Sequence, residues 1–181
     1  LTTLLREGDV VFSDELNHAS IVDGCRLSRA TIAIYRHRDH ADLERLLKVH
    51  AGRRRIVVSE TVFSMDGDVA DVEALVAVAK RGGASLIVDE AHALGVCGSE
   101  GRGVAAGHPG VDLRIGTFGK ALGSFGAFAA SSSAIAELLW NRARPVVFST
   151  GLPPSVAAAS RRAIEIVRSG EGDLRRTKLD A

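Results

Sequence analysis

Short apolar runs alternate with amphipathic stretches along nearly the whole chain. Strand-like runs fall at 9–13, 31–35, 56–60, 85–89, 113–117, 127–130 and 146–149, where Val, Ile, Leu and Ala gather between turn-forming residues. Helical periodicity fills the gaps. One helix is expected over 19–28, and Asp39 is a candidate N-cap for a second that buries Leu43, Leu46 and Leu47. A third, after Asp68, puts Val72, Leu75, Val76 and Ala79 on one face and stops at Gly82-Gly83. Further helices are expected over 134–140 and from Pro153-Pro154 through Val167, since proline is tolerated in a first turn. Ser85-Leu86-Ile87-Val88 lacks the polar alternation of a half-exposed strand, so the sheet is expected to be covered on both faces. Together these patterns predict an α/β domain of three layers, α/β/α, on a mainly parallel sheet.

That domain is expected to span 1–170, with no repeat or linker inside it. The charged helical pattern over 171–181 reads as the start of a connection to a further C-terminal domain. The chain opens Leu1-Thr2-Thr3, without Met or the features of a signal peptide, and ends without a closing element. A piece of a longer protein is the expectation.

Composition narrows the function classes. Of the 181 residues 46% are hydrophobic and 25% charged, an ordinary globular balance. A formal net charge of +1 argues against a nucleic-acid or anionic-membrane partner. No apolar run approaches the roughly 20 residues that span a bilayer. Cys25 and Cys97 have neither metal-ligand nor redox spacing, which fits a reducing cytoplasm. Arg53-Arg54-Arg55 reads as a solvated start to the strand that follows it. His37, His40, His50 and His108 read as surface residues. His37 and His40 have a helical spacing that suits a metal, but no third ligand accompanies them and no metal is expected.

Ligands in open α/β sheets gather beyond the carboxyl ends of the strands. Those ends carry Glu60, then Asp89-Glu90-Ala91-His92, then Thr117-Phe118-Gly119-Lys120. Asp-Glu-Ala-His after an apolar strand also suits the Mg-binding box of a helicase, but that needs an upstream G-x-x-x-x-G-K-[ST] loop. The one Gly-Lys pair, Gly119-Lys120, lies downstream, is followed by Ala121, and has Arg114 where the first glycine should stand. A carboxylate and a lysine at neighbouring strand ends suit a pyridine cofactor better. The lysine would bond pyridoxal phosphate, and the carboxylate would keep the ring nitrogen protonated so that the ring acts as an electron sink. Gly119 and Gly123 would let backbone and cofactor approach closely.

Five ordered blocks carry a family resemblance: Asp14-Glu15-Leu16-Asn17-His18-Ala19-Ser20, Phe63-Ser64-Met65-Asp66-Gly67-Asp68, Val88-Asp89-Glu90-Ala91-His92, Thr117-Phe118-Gly119-Lys120-Ala121-Leu122-Gly123 and Phe148-Ser149-Thr150-Gly151-Leu152-Pro153-Pro154. The chain resembles the α-oxoamine synthases, fold-type I pyridoxal-phosphate enzymes that condense an amino acid with an acyl thioester and lose CO2. The resemblance implies the large domain of a PLP-dependent transferase. It implies that Lys120 forms the Schiff base and moves the Cα proton, that Asp89 pairs with the pyridinium nitrogen, and that His18 stacks on the ring. It further implies that His92 and Ser64 meet the phenolic oxygen, that Thr117 lies beside the phosphate, and that Thr150 reaches the phosphate of a neighbouring subunit in a homodimer. Within the family the blocks favour the branch that takes L-alanine and a pimeloyl thioester over the glycine-using branches. Glu60 stays open between a site role and a bridge to backbone. An inert cofactor-binding fragment is the contrasting class, because the family's glycine-rich phosphate segment and its substrate-carboxylate arginine have no counterpart here.

Overall fold

The structure is a computed structural model that describes residues 1–179. Six strands, β1 (Val10–Asp14), β2 (Thr31–Tyr35), β3 (Arg55–Glu60), β4 (Ser85–Asp89), β5 (Leu113–Thr117) and β6 (Ala127–Ser131), form one sheet in the order β2-β1-β3-β4-β5-β6. The first five are parallel, and β6 runs antiparallel to β5. Helices α1 (Ala19–Ser28), α2 (His40–Val49) and α3 (Val72–Arg81) make the crossovers that parallel neighbours require. After β6 come α4 (Ser133–Arg142), the short α5 (Arg144–Val147), α6 (Pro154–Val167) and α7 (Gly170–Leu179).

The unbroken apolar strands are explained by two cores, one on each sheet face. Val10, Phe12, Val57, Leu86 and Val88 point to the α2–α3 side, where they meet Leu43, Leu47, Leu75 and Val78. Their alternates Val11, Ile56, Val58, Ile87 and Leu113 pack on the other side against Leu5, Ile21 and Cys25. Fully burying a side chain such as Leu86 contributes about 1.5–3 kcal/mol, so both faces hold the strand ends in place. Asp39 and Ser132 cap α2 and α4 through side-chain oxygens that accept backbone N–H groups. Among the described residues no helix is long and apolar enough to cross a membrane.

One expectation is corrected. The run 146–149 is not a strand, because Val146 and Val147 belong to α5 and Phe148 ends it. Pro145 sits in the first turn of that helix, where its fixed φ is already suitable. The third helix, expected after Asp68, begins at Val72 with Asp71 as its cap, and Asp68 bonds His37.

β1 and β3 are adjacent, while β2 lies outward of β1 on one side and β4 outward of β3 on the other. The order therefore reverses between β1 and β3. A crevice opens beyond the carboxyl ends at such a switch point, and it is the favoured ligand site of this architecture.

Candidate active site

The loop after β1 and the end of β3 flank that crevice. Asn17, to which sequence reasoning assigned no role, ties them together. Its buried amide donates to Ser13 Oγ and to the Val58 carbonyl, both at 2.9 Å, and its Oδ1 accepts the Glu60 N–H at 3.0 Å. His18 follows. Its ring Nδ1 accepts the Ser20 N–H at 3.2 Å and so caps α1, while its own N–H donates to Glu60 Oε1 at 2.5 Å. The ring itself stays exposed at the crevice.

Glu60 is buried, and its carboxylate also accepts the backbone N–H of Ser64. Burial pushes its carboxyl above the ordinary range and the charge of Asp89 adds to this, while the two N–H bonds pull the other way. Glu60 thus acts as a buried bracket that joins the His18 and Ser64 segments. A strand-end glutamate is ambiguous in sequence because only the adjacency of β1 and β3 brings its partners to it.

In register with Glu60 on the next strand stands Asp89, half-buried, whose Oδ1 accepts the Ala91 N–H at 2.8 Å. Thr61 clips these strand ends together, its N–H donating to the Asp89 carbonyl at 2.9 Å. Glu90 points away from the crevice and is almost wholly buried. It pairs with Arg114 of β5 and accepts from Thr61 Oγ1 at 3.2 Å and the Ala105 N–H at 2.8 Å. Gly103, at φ +95°, passes so close that a Cβ there would strike the Glu90 carboxylate. Sequence reasoning missed this network, which connects residues 24 positions apart.

The turn after β5 presents Lys120. Phe118 N–H donates to the Gly126 carbonyl at 2.9 Å, Ser124 N–H to the Phe118 carbonyl at 2.7 Å, and Gly123 N–H to the Lys120 carbonyl at 2.9 Å. Gly123 takes a positive φ of 60° that its lack of Cβ makes easy. Lys120 stands exposed on this turn. The Thr117 hydroxyl is spent on the turn itself, donating to the Gly126 carbonyl at 3.1 Å and accepting the Gly119 N–H at 3.1 Å.

His92 reports that these groups converge. Burial lowers the pKa of its imidazole, the positive charge of Lys120 lowers it further, Asp89 opposes, and His18 adds a smaller downward push. The structure therefore brings His18, Glu60, Asp89, His92 and Lys120 within electrostatic reach, with Ser64 joined through Glu60. Thr150 is not brought in. It lies exposed between α5 and α6, and among the described residues it bonds to none of these groups. Nor does it cap α6, whose N-cap is Pro153. His37, expected at the surface, is partly buried between two carboxylates. Among the described residues, no group of three or more His, Cys, Asp and Glu could hold a metal ion.

A parallel sheet with acid, imidazole and amine at adjacent carboxyl ends defines a class. The aminotransferase class I and II family matches residues 1–180, and the chain belongs to it. The chain is 54% identical over 183 residues to an 8-amino-7-oxononanoate synthase of Geobacter sulfurreducens, covering 99% of this chain and 47% of that protein. Serine palmitoyltransferase from S. paucimobilis, solved with a bound PLP–myriocin adduct, superposes with a TM-score of 0.91 at 37% identity over 98% of this chain and 47% of its own. The 8-amino-7-oxononanoate synthase of Francisella tularensis gives 0.83 at 32% identity, over 98% and 52%. The α-oxoamine synthase resemblance read from the five blocks is borne out by these relatives. The chain spans about half the length of the curated relatives it matches.

Proposed function

We propose that the protein containing this chain is a pyridoxal-phosphate acyltransferase that condenses L-alanine with a pimeloyl thioester, of CoA or acyl carrier protein. The products are 8-amino-7-oxononanoate, CO2 and the free thiol, a step of biotin synthesis. The observation that carries the reading is that Asp89, at the end of β4, and Lys120, on the turn after the neighbouring strand β5, both act on His92 through their charges. The donor set fits the cofactor: an exposed amine for its aldehyde, a half-buried carboxylate for its ring nitrogen, and Ser64 and His92 for its phenolic oxygen. When bound, the cofactor supplies an electron sink for negative charge at the amino acid's Cα.

The residues then have distinct tasks. Asp89, its carboxylate pre-aimed by the Ala91 N–H, would hold a proton on the ring nitrogen once the cofactor is bound. Lys120 carries the proton to and from Cα. Burial and the charge of Lys120 lower the His92 pKa and so favour the neutral ring, which offers one N–H without adding positive charge. His18 offers a ring face steadied by its cap on α1. Thr117 would stand beside the phosphate.

The relatives' names support the alanine branch. A panel of alanine, glycine and serine against acetyl and pimeloyl thioesters tests it. Alanine with the pimeloyl thioester is expected to exceed every other pair by at least about tenfold in kcat/KM, a difference of 1.4 kcal/mol. A preference for glycine with acetyl-CoA would reassign the reaction.

We propose further that residues 1–170 form the large domain, that 171–181 lead towards a C-terminal domain, and that the enzyme works as a cytoplasmic homodimer. Residues 180–181 lie outside the described residues. The exposure of Thr150 in front of the α6 N-terminus supports its reaching the partner subunit's phosphate. Mixing inactive Lys120→Ala with inactive Thr150→Ala full-length protein should then restore activity, because each mixed dimer has one site with neither lesion. Subunit exchange without recovery would confine Thr150 to its own chain.

A further inference from the structure

A second set of charged side chains gathers beside the crevice, at the end of β1. His37 Nδ1 lies 2.9 Å from Asp14 Oδ1, and its Nε2 lies 2.8 Å from Asp68 Oδ2. Both partners are carboxylates, which accept hydrogen bonds and do not donate them when ionised. A neutral imidazole has one N–H, so the imidazolium alone satisfies both contacts. The ring stands edge-on to buried Phe63, with centroids 4.4 Å apart.

The other charged neighbours complete the enclosure. The Glu15 carboxylate accepts the His37 N–H at 2.8 Å. The Arg38 N–H donates to Asp14 Oδ2 at 3.0 Å, and its guanidinium meets Asp68 Oδ2 at 2.9 Å. Beyond Asp14 lies the buried Tyr35 phenol. On α2, Asp42 is occupied by the Arg36 N–H and by Arg45.

Asp68 also closes the turn that carries Ser64. Its carbonyl accepts the Phe63 N–H at 3.0 Å, and the Phe63 carbonyl accepts the Gly67 N–H at 2.9 Å. Its Oδ1 is buried without a hydrogen-bond partner among the described residues, so its side chain is held through Oδ2 alone. Fixing that oxygen fixes the turn.

We propose that His37 is a positioning residue: as an imidazolium between Asp14 and Asp68 it fastens the 63–68 turn to the end of β1 and so sets where Ser64 stands beside the cofactor crevice. The role of Ser64 rests on the proposed function, whereas the clasp itself does not. Burial alone pushes the His37 pKa down, but the hydrogen bonds and charges of Asp14 and Asp68 outweigh it and hold it above the ordinary 6.5. A raised folded-state pKa means that the clasp is fully made below the ordinary imidazole range and is lost as pH rises through the folded value.

The test uses the full-length holoenzyme. Two-bond 1H–15N correlation spectra should show both His37 nitrogens protonated at pH 6.5 and a titration midpoint above that of a free imidazole. Asp68→Asn should lower the midpoint. In kinetics, His37→Asn should reduce kcat/KM about tenfold to a hundredfold, the scale of a misplaced group, with cofactor absorbance retained. Combined with Ser64→Ala it should add little, because both act through one hydroxyl. Asp68→Asn should shift the alkaline limb of the pH profile to lower pH, and it decides the matter if His37→Asn does not fold. A His37 midpoint at or below the ordinary value, or additive losses with Ser64→Ala, would overturn the proposal. A holoenzyme that proves to bind no cofactor would defeat the proposed function instead, and the His37 titration would still decide the clasp.

Discussion

Asp89→Asn is expected to keep most of its cofactor and lose about a thousandfold or more in turnover. Asparagine preserves the shape and the oxygen that accepts the Ala91 N–H at 2.8 Å, so the loop after β4 has no reason to move. It removes the charge that, on the proposed function, favours a protonated ring nitrogen. Each pKa unit of lost preference for that proton is worth about 1.4 kcal/mol, and each 1.4 kcal/mol on the barrier is about tenfold in rate. Three units therefore give the stated loss. Steady-state turnover, with cofactor content measured by absorbance, checks it. Near-normal turnover in a folded variant would remove Asp89 from the chemistry.

The second large effect concerns stability. Arg114→Ala leaves the Glu90 carboxylate buried without its cation, beneath the strand end that bears Asp89. Removing one partner of a buried pair costs about 3–5 kcal/mol. Thr61 Oγ1 and the Ala105 N–H still donate to Glu90, but neither carries charge. Arg114→Met combined with Glu90→Gln should recover much of the loss, since no uncompensated charge remains. Urea unfolding of the single and double variants measures both. A loss below about 1 kcal/mol for Arg114→Ala would place the pair among ordinary surface ion pairs.

Much of this arrangement is legible in residue order. Apolar strands bounded by turn residues mark the sheet, and Asp39 marks a helix start because a short side-chain oxygen there meets a free N–H. Asp89 and Lys120 stand out because charged groups at strand ends face the crevice of this architecture. The 146–149 run misleads because Val-Val-Phe suits a strand, while Pro145 makes a helical first turn equally available. The sequence places the third helix after Asp68 without naming its cap, which is Asp71, while Asp68 is taken by His37 and Arg38.

Asn17, Glu90 and His37 escape the sequence reading, and Glu60 stays open in it, for one shared reason. Besides near bonds to Ser13 and Ser64, Asn17, Glu60, Glu90 and His37 each have a partner between 15 and 43 residues away. A pattern of local periodicity holds no trace of such pairs. Charge-dense Arg36-His37-Arg38-Asp39 at a carboxyl strand end was the one available signal, and it reads equally well as a solvated loop.

On the proposed function, Lys120 bonds the cofactor. Borohydride reduction of the full-length holoenzyme, followed by proteolysis and mass mapping, tests it directly. The expected result is a pyridoxyl group on Lys120, absent from Lys120→Ala. A label on Lys48, Lys80 or Lys178, or none on this chain, would contradict the claim.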